Sequence, residues 1–99
     1  MTPEGFHTAF GQAFGFPEFY GRNMDAWNDC MSSLDDPSSG LTTVHVPAGT
    51  VMTLFIQNAS YLRKASREQY DDLIECSAFV NYSRMDIGLP AIIALAFHD

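Results

Sequence analysis

Phe6, Phe10 and Phe14 recur at every fourth position near the start of the chain, with Ala9 and Ala13 beside them. That spacing predicts an amphipathic helix whose aromatic stripe faces a core. Thr2, Pro3 and Glu4 mark its start: a hydroxyl that can cap, a proline suited to the first helical position and an acid at the positive helix end. Gly15 ends it, with Pro17 just beyond. His7 and Gly11 belong to no pattern, and a lone histidine in such a place is ordinarily a surface or capped residue.

After a turn at Tyr20 and Gly21, Asn23 is a good cap for a second helix, with Asp25 in its first turn. At about 100° per residue, Ala26, Trp27, Cys30, Met31 and Leu34 gather on one side, while Asp25, Asn28, Asp29, Ser32 and Asp36 gather on the other. Asp25 and Asp29 then lie one turn apart on the same face, where like charges weakly oppose the helix. Asp35 to Gly40 reads as a loop of turn-forming residues.

Thr42 to Val46 and Val51 to Ile56 read as two strands of an antiparallel hairpin around Pro47, Ala48 and Gly49. Asn58 to Lys64 predicts one or two helical turns. Ser66 with Gln69 has the form of a capping box opening a longer helix, with Tyr70, Leu73, Ile74, Ser77 and Ala78 on its buried side and fraying between Tyr82 and Gly88. Pro90 enforces an extended entry to residues 91–97, AIIALAF, which read as a strand covered on both faces. Strands joined by a pair of helices should lie parallel through a right-handed crossover. The expectation is an α/β fold: a small, mostly parallel sheet of about three strands, one of them a possible antiparallel edge, packed with helices in one domain spanning residues 1–99.

Composition narrows the function. Forty-six per cent of the 99 residues are hydrophobic, enough to offset the entropy of ordering one domain. Twelve acids against five bases leave a net charge of −7, which argues against nucleic acid or anionic lipid as partner and for something basic. No apolar run reaches membrane-spanning length, and the first residues lack the positive start and apolar stretch of a secretion signal, so the cytoplasm is the expected location. Two cysteines are too few for a disulfide framework, and Cys30 and Cys76 read as reduced, structural thiols.

Catalysis finds little support. Cys30 shares a face with Trp27, Met31 and Leu34, where burial raises a thiol's pKa and leaves it inert. Cys30, Cys76, His45 and His98 lack the short spacing of zinc ligands. Asp25 and Asp29 could act as an acid and base or hold magnesium, but no further acid or phosphate-binding loop accompanies them. No cofactor or metal is therefore expected. A solvated surface is the ordinary meaning of an acidic helix face. Here residues 18–36 hold Glu18, Asp25, Asp29, Asp35 and Asp36 against Arg22 alone, flanked by Phe19 and Tyr20. Acid with aromatic edges is the composition of a docking surface.

The run P-E-F-Y-G-R-N-M-D-A-W-N-D-C, Pro17 to Cys30, resembles the signature of barstar-like proteins, close to P-E/D-Y-Y-G-x-N-L-D-A-L-W-D-C. The order of helices and strands is similar over most of the chain, except that the family's first strand precedes its first helix. Here Thr42 to Val46 is expected to fill out the sheet. Phe19 replaces the first tyrosine of the pattern, and Asn28 stands where it has tryptophan. The resemblance implies a non-catalytic inhibitor of a ribonuclease, with service as the immunity partner of a nuclease toxin among the roles it suggests. Carboxylates on a rigid helix would sit where the enzyme's basic cleft expects phosphate. It makes Asp29 the central carboxylate, Asp25 its neighbour, and Phe19 and Tyr20 the rim, with Gly21, Asn23, Asn28, Ser32 and Asp36 completing the surface. The free protein is expected to be a monomer. The other class left open is an interaction module that keeps the scaffold without nuclease binding.

Overall fold

Thr2 caps the first helix as its sequence dictates. Its Oγ1 accepts from the Gly5 N–H at 3.0 Å, and α1 runs Pro3–Phe14 in the computed structural model, which describes residues 1–99. Gly15 terminates α1 at φ 65°, and a side chain there would also strike Thr43, 1.9 Å from where its Cβ would lie. Helix α2 spans Met24–Met31 and a single 3₁₀ turn follows at Pro37–Ser39. Strand β1 is Met52–Ile56, α3 Ala59–Ala65, α4 Arg67–Asp86 and β2 Ile93–Phe97. No helix is long and apolar enough to cross a membrane.

The fold is α/β, with β1 and β2 parallel and in register from Met52 opposite Ile93 to Ile56 opposite Phe97. The sheet has two strands where about three were expected. Thr42–Val46 pairs with no strand, because its donors go to the end of α1 and to the turn after α2. Thr43 N–H bonds the Phe14 carbonyl at 2.9 Å and Val46 N–H the Leu34 carbonyl at 3.0 Å. The hairpin therefore does not form, and the segment instead ties the end of α1 to the turn after α2. Nor is β2 covered on both faces. Leu54, Ile93 and Leu95 turn toward the helices, while Thr53, Phe55 and Ala94 on the opposite face are exposed. Where a further strand would bond β2 at Ile93, a side chain does so. The Asn81 amide donates to the Ile93 carbonyl at 2.8 Å, and its Oδ1 accepts from the Ile92 and Ile93 N–H groups.

The core joins both helical pairs to the sheet through Phe6, Trp27, Met31, Leu34, Leu54, Leu73, Val80 and Ile92. Trp27 is wholly buried, meeting Phe10 edge-on at 5.5 Å. Helix α4 departs from expectation in three ways. Ser66 makes no side-chain cap; its hydroxyl accepts from the Met1 amine, and Gln69 is buried instead of closing the box. The buried side is Gln69, Leu73, Ser77, Val80 and Arg84: Leu73 and Ser77 turn inward as expected and Tyr70 is half-buried, but Ile74 and Ala78 are exposed. It also continues to Asp86 rather than fraying at Tyr82, because Arg84 is anchored.

Arg84 is 4 % exposed. Its guanidinium makes a two-pronged pair with Asp35 at 2.8 and 3.1 Å, and donates to the Ser32 carbonyl at 2.7 Å and the Pro90 carbonyl at 2.9 Å. This bonding holds the Asp35 carboxyl below the usual carboxylate range. One buried cation thus joins the end of α2, the end of α4 and the approach to β2. Arg84→Met strands a half-buried carboxylate and two carbonyls, and is expected to lower the unfolding free energy by about 3 kcal/mol in urea denaturation. A change within about 0.5 kcal/mol would mean the pair is not a structural hub.

Candidate functional site

The turn between α1 and α2 is built by its own aromatics. Tyr20 N–H bonds the Pro17 carbonyl at 2.9 Å, and the Tyr20 ring packs on Phe16 with centroids 4.7 Å apart. Its hydroxyl lies 2.5 Å from His7 Nδ1. Arg22 follows at φ 53°, a left-handed conformation unfavourable for a side-chain-bearing residue. Its guanidinium donates to the Glu4 carbonyl at 3.0 Å and Thr8 Oγ1 at 2.7 Å, fastening the turn to α1. Asn23 then caps α2, its Oδ1 accepting from the Ala26 N–H at 2.8 Å.

Helix α2 is two-faced, with Trp27, Cys30 and Met31 buried and Asp25 and Asp29 exposed. Neither exposed carboxylate takes part in an ion pair or a hydrogen bond within the chain; the only ion pairs are Arg67–Asp71 and Arg84–Asp35. Beside Asp29 lies a shallow cleft of about 150 Å³ walled by Pro17, Phe19, Tyr20, Gly21, Ala26, Cys30 and Leu41. Phe19 is 79 % exposed. The arrangement offers a fixed negative charge at the lip of an apolar hollow, suited to a cation carried on a flat or aliphatic stem.

The structure gathers Asp29, Phe19, Tyr20 and Gly21 at this cleft and sets Asp25 one turn away on the same exposed face. Of the remaining residues of the expected surface, Asn23, Ser32 and Asp36 make bonds within the chain. Asn23 is engaged as the cap. The Ser32 hydroxyl donates to the Asp29 carbonyl at 3.0 Å. Asp36 Oδ1 accepts from the Ser38 N–H and hydroxyl. Asn28 is half-buried with its Oδ1 enclosed and unbonded. Asp35, counted among the surface charges, is paired with Arg84. His45, His98 and the two cysteines do not converge with any acid into a cluster of three possible metal ligands.

Burial, and then the neighbouring Asp29, push the Cys30 thiol up to about 11, so it is not a nucleophile at neutral pH. Burial also raises the Cys76 thiol and the Tyr20 phenol. His7, read from its sequence as a surface or capped residue, is 6 % exposed. The signal available was its place one residue past Phe6 on a helix whose other side is solvated; what covers it, Tyr20, comes from across a turn.

The whole is a small α/β domain that presents an acidic, aromatic-edged helix. The chain belongs to the barstar family: residues 1–90 match the model of that family, described as Barstar (barnase inhibitor). Members of the family bind and inhibit ribonucleases. No individual curated protein matches the chain.

His7 carries a pH dependence of stability. Burial foremost, and then the Arg22 cation, lower its pKa from 6.5, while Asp72 of α4 opposes them. The unfolded chain therefore binds the proton more readily, so this contribution is complete above pH about 6.5 and declines as pH falls below it. Urea midpoints at pH 7.5 and 5.5 should differ more in the wild type than in His7→Gln. Equal differences would place the titration elsewhere.

Proposed function

We propose that this protein inhibits a ribonuclease of the barnase type by inserting Asp29 into the enzyme's basic active site, with Asp25 as the second charge. Support comes first from one observation: Asp29 is exposed, has no cation of its own chain, and stands beside an apolar cleft on a capped helix packed on the core. A ribonuclease cleft is lined with cations that bind phosphate, and a rigid carboxylate occupies such a site without offering a bond to cleave. Phe19 and Tyr20 form the rim. Association is steered by the net charge of −7, which repels nucleic acid and attracts a basic enzyme. The inhibitor is itself non-catalytic, works in the cytoplasm as a monomer before binding, and serves as the immunity partner where the nuclease is a toxin.

With barnase as probe, Asp29→Ala should weaken binding by at least about 2 kcal/mol in calorimetry, a hot-spot range to which the barnase–barstar complex itself contributes, and Asp25→Ala by as much or less. Both variants should melt as the wild type does, since neither carboxylate has an internal partner. Equal binding by Asp29→Ala and wild type would sink the proposed role, and a wild type that binds no nuclease would favour an interaction module on the same scaffold.

Salt provides an independent check. In stopped-flow experiments the association rate should fall several-fold between about 0.05 and 0.5 M NaCl, because the Debye length shrinks well below the size of the interface. A rate indifferent to salt would exclude charge steering.

A further inference from the structure

We propose that His7 is a positioning residue for the docking surface: from α1, outside the cleft, it holds the Tyr20 hydroxyl so that the Tyr20 ring walls the hollow beside Asp29. This rests on the proposed inhibitor role for its functional consequence, though not for its geometry.

Tyr20 belongs to two environments. It lines the cleft with Phe19 and Asp29. Its hydroxyl meets His7 Nδ1 at 2.5 Å, with the two rings 5.5 Å apart, and the two residues share a second hollow on the α1 side. His7 itself does not line the cleft. Each partner favours the other: a buried imidazole nitrogen and a half-buried phenol are both costly when unbonded, and neither has another hydrogen-bond partner in the chain. With the imidazole neutral and its proton on Nε2, the tyrosine hydroxyl donates and Nδ1 accepts. The charged and titratable groups facing His7 are Arg22 and Tyr20 from the turn and Asp72 from α4.

A second tether makes the first decisive. Arg22 is held to Glu4 and Thr8 of α1 and sits in a left-handed conformation that its side-chain bonds must compensate. The turn is thus pinned at Tyr20 and at Arg22, two residues apart, and the helix carrying Asp29 is capped immediately afterward by Asn23 and begins at Met24. Loss of the His7 bond frees the ring to leave the cleft wall while Arg22 still holds the chain. The expected consequence is local rearrangement without unfolding.

The test uses His7→Phe, which keeps an aromatic ring but removes the acceptor, His7→Gln, which restores a hydrogen-bonding group, and Tyr20→Phe, which removes only the hydroxyl. In the free protein, His7→Phe should shift the backbone amides of residues 19–29 and the Tyr20 ring resonances in NMR, and His7→Gln should return most of both. Against barnase, His7→Phe and Tyr20→Phe should each weaken binding about three- to tenfold, and the double variant little more than either. Should His7→Phe fail to fold, Tyr20→Phe and His7→Gln carry both arms. Unmoved amides in His7→Phe or Tyr20→Phe, unmoved Tyr20 ring signals in His7→Phe, no recovery with His7→Gln, or additive losses would each overturn the positioning role. If the wild type does not bind barnase, the free-protein arm still decides the role of His7, and only the inhibitor function falls.

Discussion

Arg84 is the residue on which the arrangement of the rest depends. A guanidinium cannot be left in a protein interior without partners, and this one satisfies itself by drawing a carboxylate and two backbone carbonyls from two separate segments, the stretch after α2 and the approach to β2. Two of those partners, Ser32 and Asp35, lie just past the end of α2. The C-terminal end of the helix that displays Asp29 is therefore fixed against α4, and its N-terminal end is fixed by Asn23 and the turn fastened to α1. A helix of eight residues would be marginal alone. Anchored at both ends and buried through Trp27, Cys30 and Met31, it becomes a rigid mount.

The same economy of charge separates structure from function. Of the acids near α2, Asp35 is paired internally and Asp36 caps a short turn, while Asp25 and Asp29 are left without partners of their own chain. Unpaired exposed carboxylates cost little in water, so the division leaves Asp25 and Asp29 free of any task in holding the fold.

A sheet of two parallel strands would ordinarily be too small to stand, and helices sustain this one from a single face. Asn81 substitutes for a neighbouring strand at the first residue of β2, and the Thr42–Val46 segment closes the end of α1 and the turn after α2 instead of widening the sheet. In both places backbone groups that a longer strand would have satisfied are met by side chains or loops.

Much of this was legible in the chain. Local rules fixed what depends on neighbours in sequence: Thr2 and Asn23 as caps, Gly15 as the end of α1, the two faces of α2, the parallel pairing implied by a helical crossover, and the Pro17–Cys30 run that carries the family. Local rules failed where a polar residue is buried by something distant. Gln69 and Arg84 disguised part of the inward face of α4, where Leu73 and Ser77 turn inward as expected, and Arg84 also hid the pairing of Asp35. His7 fitted a surface or capped position and is instead buried with Tyr20 as its partner, and Thr42–Val46 has the composition of a strand but spends its donors on the end of α1 and the turn after α2. Sequence alone determined which groups could bond or face inward, because propensity and periodicity act over a few residues. Only the tertiary structure decided which polar groups found one another across the fold, because a buried donor is satisfied by whichever acceptor packing brings to it, at any distance along the chain.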